Sequence, residues 1–299
     1  MHMGEIVITD LSNRVLEGMR NRELTEKSIS EFEQWLIGEE RQPGTIEKYL
    51  RDVRELCVYL SGAELTKERL TIWKDHLLKE KHLCPGTVNS KLAAVDTYCK
   101  FAGIDCHVRF YKIQKKLFNT ENKNLRKEEY LRLIDTAKRT GKQRLALIIE
   151  TIGATGIRVS EVQYITVETA RDGVARINLK GKIRTILIPG KLCSKLLKYA
   201  KKNKIAAGEI FITNSGKGIS RKQIWAEMKA LCIKAGVEKS KVFPHNLRHL
   251  FARIYFRATH DIAKLADVLG HSAIETTRIY LLTTEQDHAR QLERLGLVS

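Results

Sequence analysis

The sequence predicts a mainly α-helical chain of two domains, the second carrying a small antiparallel β-sheet. Three observations point there. The length, 299 residues, is about twice that of a typical domain. Residues 21–107 hold apolar stripes at helical spacing and nothing that reads as a strand. Beyond residue 125, two short β-branched runs flank a Lys-Gly-Lys turn inside an otherwise helical pattern.

The elements follow in order. Residues 1–20 read as a tail. A helix over 23–35 carries Ile29, Phe32, Trp35 and Leu36, and Gly38 and Pro43-Gly44 break it. The next, over 45–60, shows the clearest stripe: Ile46, Tyr49, Leu50, Val53, Leu56, Cys57 and Leu60, with Lys48, Arg51 and Arg54 off it. Helices over 67–80 and after Pro85-Gly86 (Val88, Leu92, Val95, Tyr98) complete a helical domain over 21–107. A basic linker over 108–124 leads to a second domain over 125–299. There Glu128-Glu129 open a helix, where carboxylates favour the dipole, and Leu145 to Ile149 sit in the next. Gly156 supplies a permissive backbone and Ser160-Glu161 start a short helix. Strands over 174–179 and 185–188 are joined at Lys180-Gly181-Lys182. Helices follow from residue 222, over 245–257, 262–269 and 273–281, with a last one over 284–295. No internal repeat is evident. Trp35, Trp73 and Trp225 are expected as core anchors.

Composition narrows the partner. Hydrophobic residues make up 43%, enough for real cores, which excludes disorder as the main state. Lys and Arg total 53 against 35 Asp and Glu, a formal charge of +18, which points to a polyanion and first of all to nucleic acid. Lys48, Arg51 and Arg54, with Lys112, Lys115 and Lys116 of the linker, are candidate contacts to a phosphate backbone. The six cysteines include no CxxC pair, which speaks against zinc and for thiols in a reducing compartment. With neither a long apolar run nor a signal-peptide start, a soluble, cytoplasmic, nucleoid-associated protein without membrane contact is expected.

Four segments of the second domain set polar residues in apolar surroundings: ATGIRVSE (154–161), LKGKIR (179–184), HNLRH (245–249) and LGHSAIETTRIY (269–280). Each alone has an ordinary reading. Arg158 and Glu161 suit a surface ion pair, and His245 with His249 suits a metal pair that lacks a third ligand. Together they show the order Arg, Lys, His-x-x-Arg, His, Tyr, with the last histidine nine residues before the tyrosine. In this the chain resembles the tyrosine recombinases, or phage-type integrases, over nearly its whole length.

The resemblance implies a helical core-binding domain before a mixed catalytic domain, and site-specific recombination of DNA through a 3′-phosphotyrosyl intermediate. The setting is integration or excision of a mobile element or phage, with chromosome-dimer resolution or a non-catalytic architectural role as alternatives. Tyr280 is the implied nucleophile. Arg158 and Arg248 fit the fork that grips a phosphate. His245 assists proton transfer and His271 donates to the phosphate. Lys180 is preferred as the acid for the departing 5′-oxygen, with Lys182 as the alternative. Glu161 is expected to orient a basic neighbour and His249 to pack beside the His-x-x-Arg pair. No metal or other cofactor is implied, since the cations take that electrostatic role. Implied partners are double-stranded DNA with a specific site and further copies of the chain, in a tetramer held by the C-terminal helix. Accessory DNA-bending proteins are left open.

Overall fold

The computed structural model describes residues 23–113, 124–179, 182–281 and 293. The chain divides into two compact units, one ending at Lys115 and the next starting at Lys116. It is mainly helical with one two-stranded antiparallel sheet, as the sequence pattern predicts.

The first unit has four described helices: α1 (Glu26–Gly38), α2 (Pro43–Leu60), α3 (Lys67–Lys79) and α4 (Pro85–Ala102). Thr25 and Ser28 cap α1 reciprocally, each side chain accepting the other's backbone N–H at 3.2 and 3.0 Å. Pro43 and Pro85, expected as breaks ahead of helices, are instead their first residues. A proline there gives up only an N–H that no helical turn would use. Both helices thus start on the same Pro-Gly-Thr. The apolar stripes converge as predicted. Ile29, Phe32, Leu36, Val53, Leu56, Leu70, Trp73, Leu77, Val88 and Tyr98 are buried, each side chain worth about 1.5–3 kcal/mol.

The polar side of α2 is less simple than its pattern. Asp52 is buried, taking Nε and Nη2 of Arg51 at 3.2 and 3.0 Å and Lys91 Nζ at 3.3 Å. Lys48 donates to Ser90 Oγ at 2.6 Å and lies 3.7 Å from Asp52, while Arg54 faces Glu26 at 3.5 Å. These three cations therefore carry carboxylate partners within the unit. Lys112 is exposed. Lys115 and Lys116 lie outside the described residues.

In the second unit α5 (Lys127–Arg139) and α6 (Gln143–Thr155) pack together, and α6 is buried continuously from Leu145 to Ile152. A short helix, α7 (Val167–Asp172), precedes the hairpin of β1 (Val174–Leu179) and β2 (Lys182–Leu187), whose register pairs Leu179 with Lys182. The second strand thus begins three residues earlier than expected, and Lys182 belongs to the ladder rather than the turn. Helix α8 (Gly190–Lys202) was not anticipated, although Leu192, Leu196 and Ala200 form its buried stripe at four-residue spacing. Residues 210–213 make only an isolated bridge between Ile212 and Gly218. Then come α9 (Arg221–Ala235), α10 (Pro244–Thr259), α11 (Ile262–Leu269) and α12 (Ile274–Arg278). Trp225 on α9 is half-exposed with Lys229 Nζ 5.4 Å from its ring centre, so it is not the core anchor expected; Trp73 is. Trp35 packs at the core's edge against Phe32 and Phe101. Apart from Glu293, the expected C-terminal helix lies outside the described residues. Among the described residues no helix is long and apolar enough to cross a membrane.

Candidate active site

The buried helix α6 ends at Gly156, which caps it in the left-handed conformation at φ +65°. The position favours glycine, because any Cβ would stand 2.4 Å from Phe251 Cδ1 at a positive φ. Two residues on, Arg158 starts a 3₁₀ turn over Val159–Tyr164. Glu161 closes that turn by accepting the Arg158 backbone N–H at 2.8 Å and Arg158 Nη1 at 3.0 Å. It also takes Nη1 of Arg184, from β2. At 1% exposure Glu161 is no surface partner; it is a buried carboxylate between two guanidiniums. Burial would raise its pKa, but the Arg158 N–H and the Arg184 charge more than offset this and hold it below the usual range.

Helix α10 opens on Pro244 and presents His245, Arg248 and His249 from its first two turns. Arg248 is buried. Its Nη1 donates to the Gly156 carbonyl, and Nη2 to the Leu269 carbonyl at 2.7 Å and to His271 Nε2 at 2.8 Å. Its Nε–H is buried with no partner among the described residues. Burial, then the charge of Arg158, lowers its pKa to about 10, so it stays a cation at neutral pH.

Gly270, at φ +64°, ends α11, and the His271 N–H reaches back to the Ala266 carbonyl at 3.0 Å, which fixes where His271 projects. Its Nδ1 lies 2.8 Å from Oγ1 of the buried Thr277. Since a guanidinium only donates, Nε2 accepts from Arg248 and Nδ1 carries the proton. Burial and the cations Arg248 and Arg158 lower its pKa to about 4, which agrees with that neutral form.

Tyr280 follows in a 3₁₀ turn over Ile279–Leu281, 6% exposed, held by Ala252, Leu265 and Leu269. Three imidazoles surround its ring. His249 meets it edge-on with centroids 4.3 Å apart, His271 stacks at 5.6 Å, and His245 lies at 5.7 Å. Burial, then the neighbouring His245, lowers the pKa of His249 to about 3. His245 is the exposed member; partial desolvation, with Arg248 and Arg158, lowers its pKa too. All three rings are therefore neutral at pH 7.

Six residues read from the sequence thus come together: Arg158, Glu161, His245, Arg248, His271 and Tyr280. His249 joins them, closer to Tyr280 than a bystander. Arg184 was passed over as a site residue; its signal was a charged residue on a strand whose neighbours Thr185 and Ile186 are apolar or β-branched. Lys180 lies outside the described residues. Lys182 is placed by its backbone alone, as the first residue of β2. Among the described residues no cluster of three His, Cys, Asp or Glu fits a metal, and His245 with His249 gains no third ligand. A cavity of about 1060 Å³, lined by Lys138, Lys142, Arg144 and Lys195, sits at the opposite end of α6. It shares no residue with this cluster.

A buried arginine with a spare donor, Arg248, and the partly exposed Arg158 beside a buried tyrosine make a site for a tetrahedral oxyanion and an attacking hydroxyl. Comparison with known proteins agrees. Tyrosine recombinase XerA of Pyrococcus furiosus is 28% identical over 287 residues, spanning 94% of this chain and 98% of its own. Tyrosine recombinase XerC of Roseiflexus castenholzii is 28% identical over 273 residues, 82% of this chain and 85% of its own. Among solved structures, a lambda integrase dimer bound to a COC′ core site matches with a TM-score of 0.69 at 16% identity, covering 91% of this chain and 80% of that one. XerH site-specific recombinase bound to a palindromic difH substrate, a post-cleavage complex, matches at 0.67 with 19% identity, over 85% and 79%. These two likenesses concern the fold. Residues 123–287, more than half of the chain, match the model of the phage integrase family, so the chain belongs to that family and is a tyrosine site-specific recombinase.

Proposed function

We propose that Tyr280 Oη attacks a phosphodiester of double-stranded DNA at a specific site, with the residues gathered around it in named roles. The observation that carries this is the buried Arg248 Nε–H, without a partner among the described residues, beside a tyrosine ringed by three neutral imidazoles. In the cleavage step the Oη–P bond forms and the P–O5′ bond breaks. The tyrosine proton passes to a base and the 5′-oxygen takes a proton from an acid. A free tyrosine has a pKa of about 10 and needs this help at neutral pH. His245, exposed and neutral, is the acceptor we assign. Arg158 and Arg248 stabilise the charge gathering on the non-bridging oxygens. His271 contributes through Arg248; to donate to the phosphate from Nε2 it must release Arg248 and carry its proton on Nε2 instead of Nδ1. Lys180 supplies the leaving-group proton, with Lys182 as the alternative. The 5′-hydroxyl of a partner strand then attacks the phosphotyrosyl link, which restores Tyr280 and needs no outside energy.

Residues 21–107 act as a DNA clamp joined by the basic linker. Lys48, Arg51, Arg54, Lys112, Lys115 and Lys116 contact the backbone; the first three must exchange their carboxylate partners for phosphates to do so. Four copies assemble on two duplexes through the C-terminal segment. The exchange integrates or excises a mobile element or phage; resolution of chromosome dimers would use the same site. The test is to map the DNA retained by the protein in its host and incubate purified protein with a nicked duplex of that sequence. A protein–DNA adduct on a denaturing gel, absent with Tyr280→Phe, is expected. Target sequences at element ends support the first setting, and one at a single chromosomal locus the second. Binding without any adduct would favour an architectural role.

A further inference from the structure

Arg184 is a largely enclosed cation that the proposed chemistry leaves without a task. Its side chain is 11% exposed and ties together three segments far apart in sequence. From β2 it donates through Nη1 to Glu161 in the 3₁₀ turn, and through Nη2 to the Val268 carbonyl at 2.8 Å, at the end of α11. Gly270 lies against its stem so closely that a Cβ there would stand 2.5 Å from Arg184 Cδ and 2.9 Å from Nε. The segment that presents His271 is thus moulded onto this one side chain.

The sharing of Glu161 is the telling feature. A lone arginine and carboxylate settle into a two-pronged pair, both oxygens taken by one guanidinium. Here Oε2 is occupied by Arg184 and by the Arg158 backbone N–H at 2.8 Å. That leaves Arg158 a single prong, Nη1 to Oε1 at 3.0 Å, and its Nη2 reaches the Gly270 carbonyl at 3.3 Å. Arg158 stays 42% exposed as a side chain, with donors to spare. Without Arg184, Oε2 would keep only the Arg158 N–H, and its open lone pair would draw the Arg158 guanidinium into the two-pronged form and away from the site. The Val268–Gly270 segment would lose its anchor at the same time.

We propose that Arg184 is a positioning residue: by claiming one oxygen of Glu161 and the Val268 carbonyl, it sets Arg158 and the His271 segment for the phosphate. This rests on the reading of Arg158 and Arg248 as the phosphate grip. Lysine cannot take its place, because a single ammonium on a flexible stem does not span both partners in the fixed geometry of a planar fork.

The test uses the full chain with Arg184→Lys, Arg184→Ala and Tyr280→Phe on a nicked duplex carrying the site. Adduct formation is followed in a single turnover at saturating protein, beside DNA affinity and melting temperature. Arg184→Lys should form adduct roughly tenfold to a hundredfold more slowly, as for a misplaced catalytic group, with affinity for DNA within about twofold of wild type. Should Arg184→Ala fold, guanidinium ion at concentrations below those that unfold the protein should restore part of its rate, and sodium chloride of equal ionic strength should not. Wild-type cleavage by Arg184→Lys would overturn the proposal. So would a loss of cleavage matched by equal losses of affinity and melting temperature, since that describes a structural ion pair. No adduct with wild type on DNA that it binds would instead overturn the reading of the site, and this inference with it.

Discussion

Replacing Gly156 with alanine tests how the site is tied to the core, because two costs fall on one atom. The backbone there has φ +65°, a conformation that costs an L-residue about 1–2 kcal/mol. The new Cβ would stand 2.4 and 2.7 Å from Phe251 Cδ1 and Cε1 and 3.0 Å from Leu269 Cδ2, all inside contact distance. Overpacking of that kind costs about 1–3 kcal/mol. The sum, about 2–5 kcal/mol, corresponds to a fall in melting temperature of roughly 5–15 °C for a unit of this size. Gly236 supplies the control. It also has positive φ, +61°, yet nothing lies within 4 Å of its Cβ position, so alanine there should cost only about 1–2 kcal/mol. Calorimetry on both variants separates backbone strain from packing. Because the Gly156 carbonyl holds Arg248, Gly156→Ala should also slow adduct formation below the unfolding range. Equal melting temperatures for the two variants would refute the packing argument.

Further outcomes follow from the same contacts. His249 and His271 have pKa values lowered to about 3 and about 4, so the unfolded chain, with histidines near 6.5, binds protons in this window that the folded chain does not. Stability is therefore present above about pH 6.5 and falls as the pH drops toward 4; urea unfolding should show a loss of roughly 2–4 kcal/mol between pH 7.5 and 5. His249→Gln should flatten that slope, and an unchanged slope would show that its ring is not held neutral. Carboxylates do not confuse the window, since Glu129, Glu150 and Glu161 sit below their ordinary values and lose stability only in more acid solution. Lys180→Ala should lose cleavage of ordinary DNA but regain most of it on a duplex whose scissile 5′-oxygen is sulfur, because a thiolate leaves without a proton; if Lys182→Ala shows that behaviour instead, the acid is Lys182. Asp52→Ala strands Lys91 with only Glu55 and should destabilise the first unit by about 2–4 kcal/mol in urea unfolding, whereas Lys48→Ala, at a partly exposed pair, should cost under about 1 kcal/mol.

The chemistry was legible because it is written as polar residues at set spacings inside apolar helices, and such residues are costly unless used. Arg158, Arg248 and Tyr280 announced themselves that way. Partnership was harder to read. Glu161 looked like half of a surface pair, and nothing local reveals that Arg184, 23 positions on, covers its second oxygen. Asp52 reads as the polar side of α2, but Lys91, from a helix 39 residues away, draws it inside. Helix α8 has its stripe in plain sight and was passed over beside the stronger motifs. The helix starts at Pro43 and Pro85 are ambiguous in sequence because proline both stops one helix and opens the next.

The central claim is that Tyr280 carries the DNA, and the direct measurement is to find the bond. The adduct formed on a nicked duplex is digested with nuclease and trypsin, and the peptides are sequenced by mass spectrometry. The account predicts a phosphonucleotide on Tyr280 within the peptide of residues 279–290, linked through the DNA 3′ end, and no such peptide from Tyr280→Phe. A phosphonucleotide on any other residue, or a link through the 5′ end, would contradict it.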